Sequence, residues 1–147
     1  MATMYFRETV PVPAEQAWKV IADYVTADSH LFTAAASARI EEVAESAPGR
    51  PAGTYRVVTT ADGEHDHWEL LIGTNEEHMR ASYTVPGLFG ADHHSAAMEV
   101  VPVDAQSCDV VWVTDVLPDS FAEEFTPFYV DNFADILKAV QGKLELS

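Results

Sequence analysis

The chain has 147 residues, of which 48% are hydrophobic and 22% charged, and its 24 Asp and Glu against 8 Lys and Arg give a formal net charge of −16. This composition predicts one globular domain over residues 1–147, and the lack of clustered Lys and Arg excludes nucleic acid and disfavours an anionic membrane surface. Cys108 is the only cysteine, no apolar run approaches the roughly 20 residues that span a bilayer, and the N-terminus does not resemble a secretion signal, so we expect a cytoplasmic protein.

The first predicted elements are a strand and two short helical segments. The strand "MYFRETVPV" is ended by Pro11 and Pro13, and Pro13 also suits the first turn of the helix "PAEQAWKVIADY". The segment "SHLFTAAASA" is predicted as a second helical piece.

Six further strands are predicted in hairpin succession, because turn-forming residues separate short runs of β-branched and aromatic side chains. In chain order they read "ARIEEVAE", "TYRVVTT", "HDHWELLIG", "HMRASYTV", "HHSAAMEVVPV" and "DVVWVTDVL".

The period of the pattern changes after Pro118. Apolar side chains then recur at steps of three and four residues, which predicts one long helix. They are Phe125, Phe128, Tyr129, Phe133, Ile136 and Val140. Ser120 with Glu123 resembles a capping box, and Thr126 before Pro127 offers a second helix start. Because an antiparallel sheet has one face to cover, the order of elements predicts an α+β fold in which the sheet wraps around this helix, leaving room for a cavity.

Several segments, in this order and spacing, carry a resemblance to a known family. They are "VPVPAEQAW", "AGTYRVV", "DGEHDHWELL", "HMRASYTV", "HHSAAMEVVP", "VVWVTDVLPD" and "FADILKAV". The chain resembles the Bet v 1-like, START-related (SRPBCC) superfamily of polyketide cyclase/dehydrase and lipid-transport proteins, and within it the bacterial branch that also resembles plant abscisic acid receptors. The resemblance implies a helix-grip fold, with seven curved strands around the long helix and an internal ligand cavity beneath the hairpin loops "TADGEHD" and "PGLFGADH".

The resemblance also implies which side chains face that cavity. The expected catalytic residues are His67, Glu69, His94 and Asp115. The expected ligand-binding residues are Arg56, Val58, Tyr83, Val85, Met98, Val111, Val113, Phe125, Tyr129 and Phe133. In the fourth strand hydrophobic alternation favours the opposite face, Trp68, Leu70 and Ile72. Both faces of that strand mix apolar and polar residues, so we follow the register of the family.

A metal site is one alternative for the alternating His65, His67 and Glu69, with a third imidazole from His93 or His94. The spacing differs from that of cupins, and His65 falls in a turn, so no metal is expected. Cys108 has no catalytic partner in the pattern and is interpreted as a bystander.

Acid–base chemistry is the preferred interpretation, because burial moves carboxylate and imidazole pKa values towards neutrality. With His67 and Glu69 as the acid–base pair, the chain is predicted to be a cofactor-independent cyclase or dehydratase acting on an oxygenated, partly apolar small molecule, such as a polyketide-like or aromatic compound. The alternative function is a non-catalytic carrier or sensor of such a ligand. For Asp115 the alternative is a structural role, as the ion-pair partner of Arg56. Alanine and serine stand in "AAASA", where related receptors place a lysine, which disfavours an acidic ligand. The oligomeric state, including a homodimer, is left open.

Overall fold

A seven-stranded antiparallel sheet forms the frame of the structure, a computed structural model that describes residues 2–26 and 35–143. The strands are β1 (Ala2–Val10), β2 (Ala35–Val43), β3 (Gly53–Thr60), β4 (Asp66–Asn75), β5 (Arg80–Thr84), β6 (His93–Asp104) and β7 (Ser107–Leu117). They pair in the order β1-β7-β6-β5-β4-β3-β2, so the first strand closes against the last while the others follow as hairpins.

Two helices cover the inner face of this sheet. Helix α1 (Ala14–Thr26) follows β1, and the long helix α2 (Asp119–Val140) follows β7. The buried side of α2 packs with α1 and the strands into one core, which confirms the helix-grip arrangement of a sheet around the terminal helix. Neither helix of the described ranges combines the length and apolar character that crossing a bilayer requires.

The start of α2 differs from both predicted caps. The helix begins at Asp119 after the extended Pro118, so Ser120 lies inside the first turn and makes no capping hydrogen bond. Pro127 lies within the helix rather than at its start, and the Thr126 hydroxyl donates to the carbonyl oxygen of Ala122. Both predicted starts were wrong because the chain enters the helix directly from the end of β7.

The second predicted helical segment covers residues 29–38. Residues 27–34 lie outside the described part of the chain, and from Ala35 onwards the segment belongs to β2, so the helix prediction was wrong there. Pairing with β3 explains the difference, because the edge strand obtains its backbone hydrogen bonds from the sheet whatever its local helix propensity.

Candidate functional site

A cavity of about 160 Å³ lies between the inner face of the sheet and α2. Its wall is mainly aromatic and aliphatic, with a few polar groups that converge on it. The lining residues are Val58, Thr60, His65, His67, Glu69, Tyr83, Val85, Leu88, Phe89, His94, Trp112, Phe128, Tyr129 and Asn132.

Strand β4 presents its more polar face to this cavity. His67 and Glu69 line the cavity, whereas Leu70 and Trp68 pack on the outer side of the sheet in a small cluster with Tyr55 and Val57. The outer cluster is covered by Arg50, whose guanidinium lies 3.8 Å from the centre of the Trp68 ring. Apolar alternation along β4 is therefore satisfied by this second cluster and not by the cavity.

Strand β7 faces the opposite way from the expected register. Trp112 lines the cavity, so Val111, Val113 and Asp115 alternate to the outer face, and their predicted inward positions are wrong. Asp115 accepts a hydrogen bond from the Thr3 hydroxyl on the neighbouring strand β1. The error is physical in origin, because β7 carries bulky apolar residues on both faces and offers no alternation to read.

Three other predicted ligand-binding residues lie near the cavity without lining it. Met98 is fully buried in the core, and Phe133 packs against Phe6 with ring centres 5.3 Å apart. Phe125 stacks on Phe89 with ring centres 4.6 Å apart. The ring of Phe89 therefore stands between Phe125 and the cavity.

Arg56 and Glu69 form a buried ion pair beside the cavity. They are direct cross-strand partners on β3 and β4, and Arg56 Nη1 donates to Glu69 Oε1 at 2.9 Å. The Arg56 side chain is fully buried and that of Glu69 is 9% exposed, so the pair is largely removed from water. Arg56 thus pairs with Glu69, not with Asp115, and it supports a lining residue rather than lining the cavity itself.

His94 is held as a neutral imidazole. Its Nδ1 accepts the backbone N–H of Val85 at 3.0 Å, which leaves the proton on Nε2. Burial, and secondarily the neighbouring His93, lowers the pKa of His94 to about 4. The site therefore contains an imidazole N–H donor at neutral pH.

The Tyr83 hydroxyl accepts a hydrogen bond from the Trp112 indole N–H at 3.0 Å, which fixes both rings in the wall. Tyr129, on α2, packs against Trp112 with ring centres 5.0 Å apart. Burial, and then the charge of Glu69, raises the pKa of Tyr129, so its hydroxyl stays protonated.

His67 is half-buried and lies near the mouth of the cavity, its open end, where the lining residues His65 and Phe89 are exposed. Burial is the main cause that lowers the pKa of His67, with a further contribution from His65 and an opposing one from Asp66. Its ring packs edge-on against Phe89 at 5.2 Å. Phe89 has φ 48° and ψ 32°, a left-handed backbone conformation that is costly for an aromatic residue and that holds the ring over the cavity mouth.

Several lining residues were absent from the expected site set. Asn132 interrupts the apolar stripe of α2 at a position three residues after Tyr129, and this polar residue on a buried helix face was a readable signal. Trp112 was hidden by the register error in β7. Leu88 and Phe89 lie in the loop that the resemblance pointed to, but their direction depends on backbone geometry that no sequence pattern specifies.

The structure shows where the residues of two alternatives lie, the metal site that would include His65 and the lone Cys108. His65 stands at the exposed end of the β3–β4 hairpin, and among the described residues no three His, Cys, Asp or Glu side chains form a group suited to a metal ion. Cys108 is fully buried in the core away from the cavity, and burial raises the pKa of its thiol.

Comparisons with known proteins agree with this architecture. The model of the family described as "Polyketide cyclase / dehydrase and lipid transport" matches residues 1–145. No curated protein matches the chain.

Among solved structures, norcoclaurine synthase from Thalictrum flavum in complex with a transition-state analogue is 21% identical with a TM-score of 0.67, covering 96% of this chain and 94% of that one. A Thermobifida fusca protein is 23% identical with a TM-score of 0.73, covering 100% and 98%. XoxI from Bacillus cereus is 20% identical with a TM-score of 0.74, covering 97% and 94%. At these identities the structural likeness establishes the fold alone.

Proposed function

Because the chain belongs to the polyketide cyclase/dehydrase and lipid transport family, we propose that its cavity binds a small oxygenated, partly apolar molecule and removes a proton from a carbon next to a carbonyl group. The observation that carries the proposal is the joint presence, in one largely apolar cavity, of two imidazoles with lowered pKa values. Such enolisation underlies aldol cyclisation, dehydration and isomerisation, and it can proceed by acid–base catalysis alone.

His67 is the proposed general base. Its lowered pKa keeps the imidazole neutral at pH 7, and its place near the mouth lets it receive a proton from a ligand and pass it to solvent. Activity should fall as the pH drops through the lowered pKa of His67, at a lower pH than for an ordinary imidazole, because protonation then removes the base.

His94 is the proposed hydrogen-bond donor to the oxyanion that forms as the proton leaves. A neutral imidazole with its Nδ1 already occupied offers Nε2–H in a fixed direction, which needs little rearrangement as charge develops. Tyr83, anchored by Trp112, is proposed to orient the same oxygen.

Glu69 receives a different proposed role from the one expected of an acid–base pair. Protonating its carboxylate would weaken the charge compensation of the fully buried Arg56, which is expensive in a medium of low dielectric. We therefore assign Glu69 to positioning and electrostatics, and proton transfer to His67.

Hydrogen–deuterium exchange at the α-carbon of phenylacetone in D₂O, followed by NMR, tests this proposal without knowledge of the natural substrate. Wild-type protein should accelerate exchange, and His67→Ala should lower the acceleration by about 10²- to 10⁴-fold, the usual contribution of a positioned base. Asp115→Asn, on the outer face, is the matched control and should retain the wild-type rate. An unchanged rate in His67→Ala would overturn the assignment of the base.

A non-catalytic carrier or sensor is the second candidate. The observation that favours it is that two of the ionisable lining residues, Glu69 and His94, already hold protein partners. Saturable binding of phenylacetone with no acceleration of exchange by the wild-type protein would favour this function over the enzyme.

A further inference from the structure

Asn132 is a buried side-chain amide on the cavity wall whose polar atoms are not used within the described part of the protein. The residue is only 5% exposed and lies on the side of α2 that also carries Phe128 and Tyr129. No hydrogen bond from its side chain to another residue is found in residues 2–26 and 35–143.

The direction of this amide follows from the same observation. Among the described residues, every fully buried side-chain N or O atom has a hydrogen-bond partner, so the unpaired amide of Asn132 must keep open surface. Because Asn132 lines the cavity and is otherwise enclosed, that surface faces the cavity. The amide gains no hydrogen bond within the described residues and asparagine is a poor helix former, so neither packing nor propensity accounts for this residue in the middle of α2.

The size and charge of the cavity restrict which ligands Asn132 could contact. A cavity of about 150 Å³ engineered in another protein binds benzene, so the 160 Å³ found here has the size of one aromatic ring. None of the lining residues in the described ranges is Lys or Arg, and the nearby guanidinium of Arg56 is paired with Glu69. The chain charge of −16 also disfavours an anionic ligand, which would find no compensating cation among the wall residues that the structure describes.

We infer that Asn132 is a specificity-determining residue, which selects a neutral, single-ring ligand by hydrogen bonding to a hydroxyl or carbonyl oxygen on it. This inference rests on the proposed function only in requiring that the cavity binds a small molecule, and it holds for an enzyme and for a carrier. The amide can donate to a carbonyl oxygen or accept from a hydroxyl, whereas the His94 Nε2–H can only donate.

A ligand pair of equal shape separates recognition from folding. Affinities of 4-methylphenol and 1,4-dimethylbenzene, which has a methyl group in place of the hydroxyl, are measured by calorimetry for wild type, Asn132→Leu and Asn132→Ala, with the exposed neighbour changed in Asp131→Leu as the control. Each variant is judged by its own ratio of the two affinities, which cancels changes in cavity size and stability. We expect the preference for 4-methylphenol to fall at least fivefold in both Asn132 variants and to stay within twofold of wild type in the control.

Each other outcome counts against a stated part of the inference. An unchanged ratio in both Asn132 variants would overturn the role of Asn132, and tighter binding of 2-naphthol than of 4-methylphenol would overturn the single-ring size. If neither methylated ring binds the wild type, the inference as a whole is wrong. The expected ratio change in a protein that does not accelerate phenylacetone exchange would instead uphold the inference and refute the proposed catalysis.

Discussion

Strand β4 packs side chains on both of its faces, but the two faces use their residues in opposite ways. On the outer face of β4, Trp68 and Leu70 build an apolar cluster beneath Arg50. On the inner face of the same strand, the polar side chains of His67 and Glu69 line the cavity. Apolar alternation therefore predicts which side chains of a strand are buried, but not which face carries a site. Ionisable side chains on the inward face are the better indication of a site, because burying them is costly.

The ion pairs of the two faces give the largest expected contrast. Arg56–Glu69 inside and Arg80–Glu99 outside are both direct cross-strand pairs, with the Arg side chains 0% and 48% exposed. Arg56→Ala should lower the free energy of unfolding by about 3–5 kcal/mol, because it leaves a buried carboxylate without its partner. Arg80→Ala should cost less than about 1 kcal/mol in the same urea titration. Equal losses would show that the inner pair is not buried in solution.

Adjacent histidines provide the second contrast. The pKa of His94 is about 4 in the folded protein and near 6.5 when unfolded, so the unfolded state binds the proton more readily and stability falls as the pH drops from 6.5 to 4. This difference in the pKa of His94 corresponds to about 3 kcal/mol of unfolding free energy. His94→Gln, which can still accept the Val85 N–H, should therefore lose less stability than wild type across this range.

The exposed His93 supplies the control for that experiment. His93→Gln should keep most of the wild-type fall in unfolding free energy between pH 6.5 and 4, measured by urea titration at several pH values, because it removes only the smaller cause of the lowered His94 pKa and leaves the burial unchanged. A His94→Gln profile parallel to wild type would contradict the buried neutral imidazole.

Two tryptophans offer a smaller contrast. Trp112→Phe keeps one six-membered ring but removes the rest of the buried indole, including the N–H that donates to Tyr83, and we expect a loss of at least about 1–2 kcal/mol in unfolding free energy. Trp68→Phe on the outer face keeps an aromatic surface for Arg50 and should cost less than about 1 kcal/mol. A larger loss at Trp68 than at Trp112 would reverse the assignment of the faces.

Asp115 gives the smallest expected effect. Its side chain accepts from Thr3 on the outer face, and the amide of Asp115→Asn can accept the same hydrogen bond. We expect a change of less than about 0.5 kcal/mol in stability and none in ligand affinity. A marked loss of ligand binding would restore the inward register that the sequence suggested for β7.

The fold could be predicted from the order of the segments that resemble the family and from the turn-forming residues between them. Turn residues and hydrophobic periodicity are local signals that indicate which helices and strands form. In β4 the inward placement of His67 and Glu69 was predicted by the register of the family, against the apolar alternation of the strand. In β7 both faces are bulky, so the choice between Trp112 and Asp115 is made by pairing with β1 and β6, which is a long-range property. Asn132 could have been noticed as a polar residue in an apolar stripe, but its lack of a partner appears only in three dimensions.

The buried ion pair has a consequence for whatever molecule the cavity holds. A guanidinium and a carboxylate fixed 2.9 Å apart form a permanent dipole next to the cavity wall. Water around a dissolved molecule must reorient when charge shifts within that molecule. The orientation of this dipole, in contrast, is fixed when β3 and β4 pair during folding. A bound ligand therefore experiences a constant electric field of fixed direction, which polarises its electrons before any bond changes.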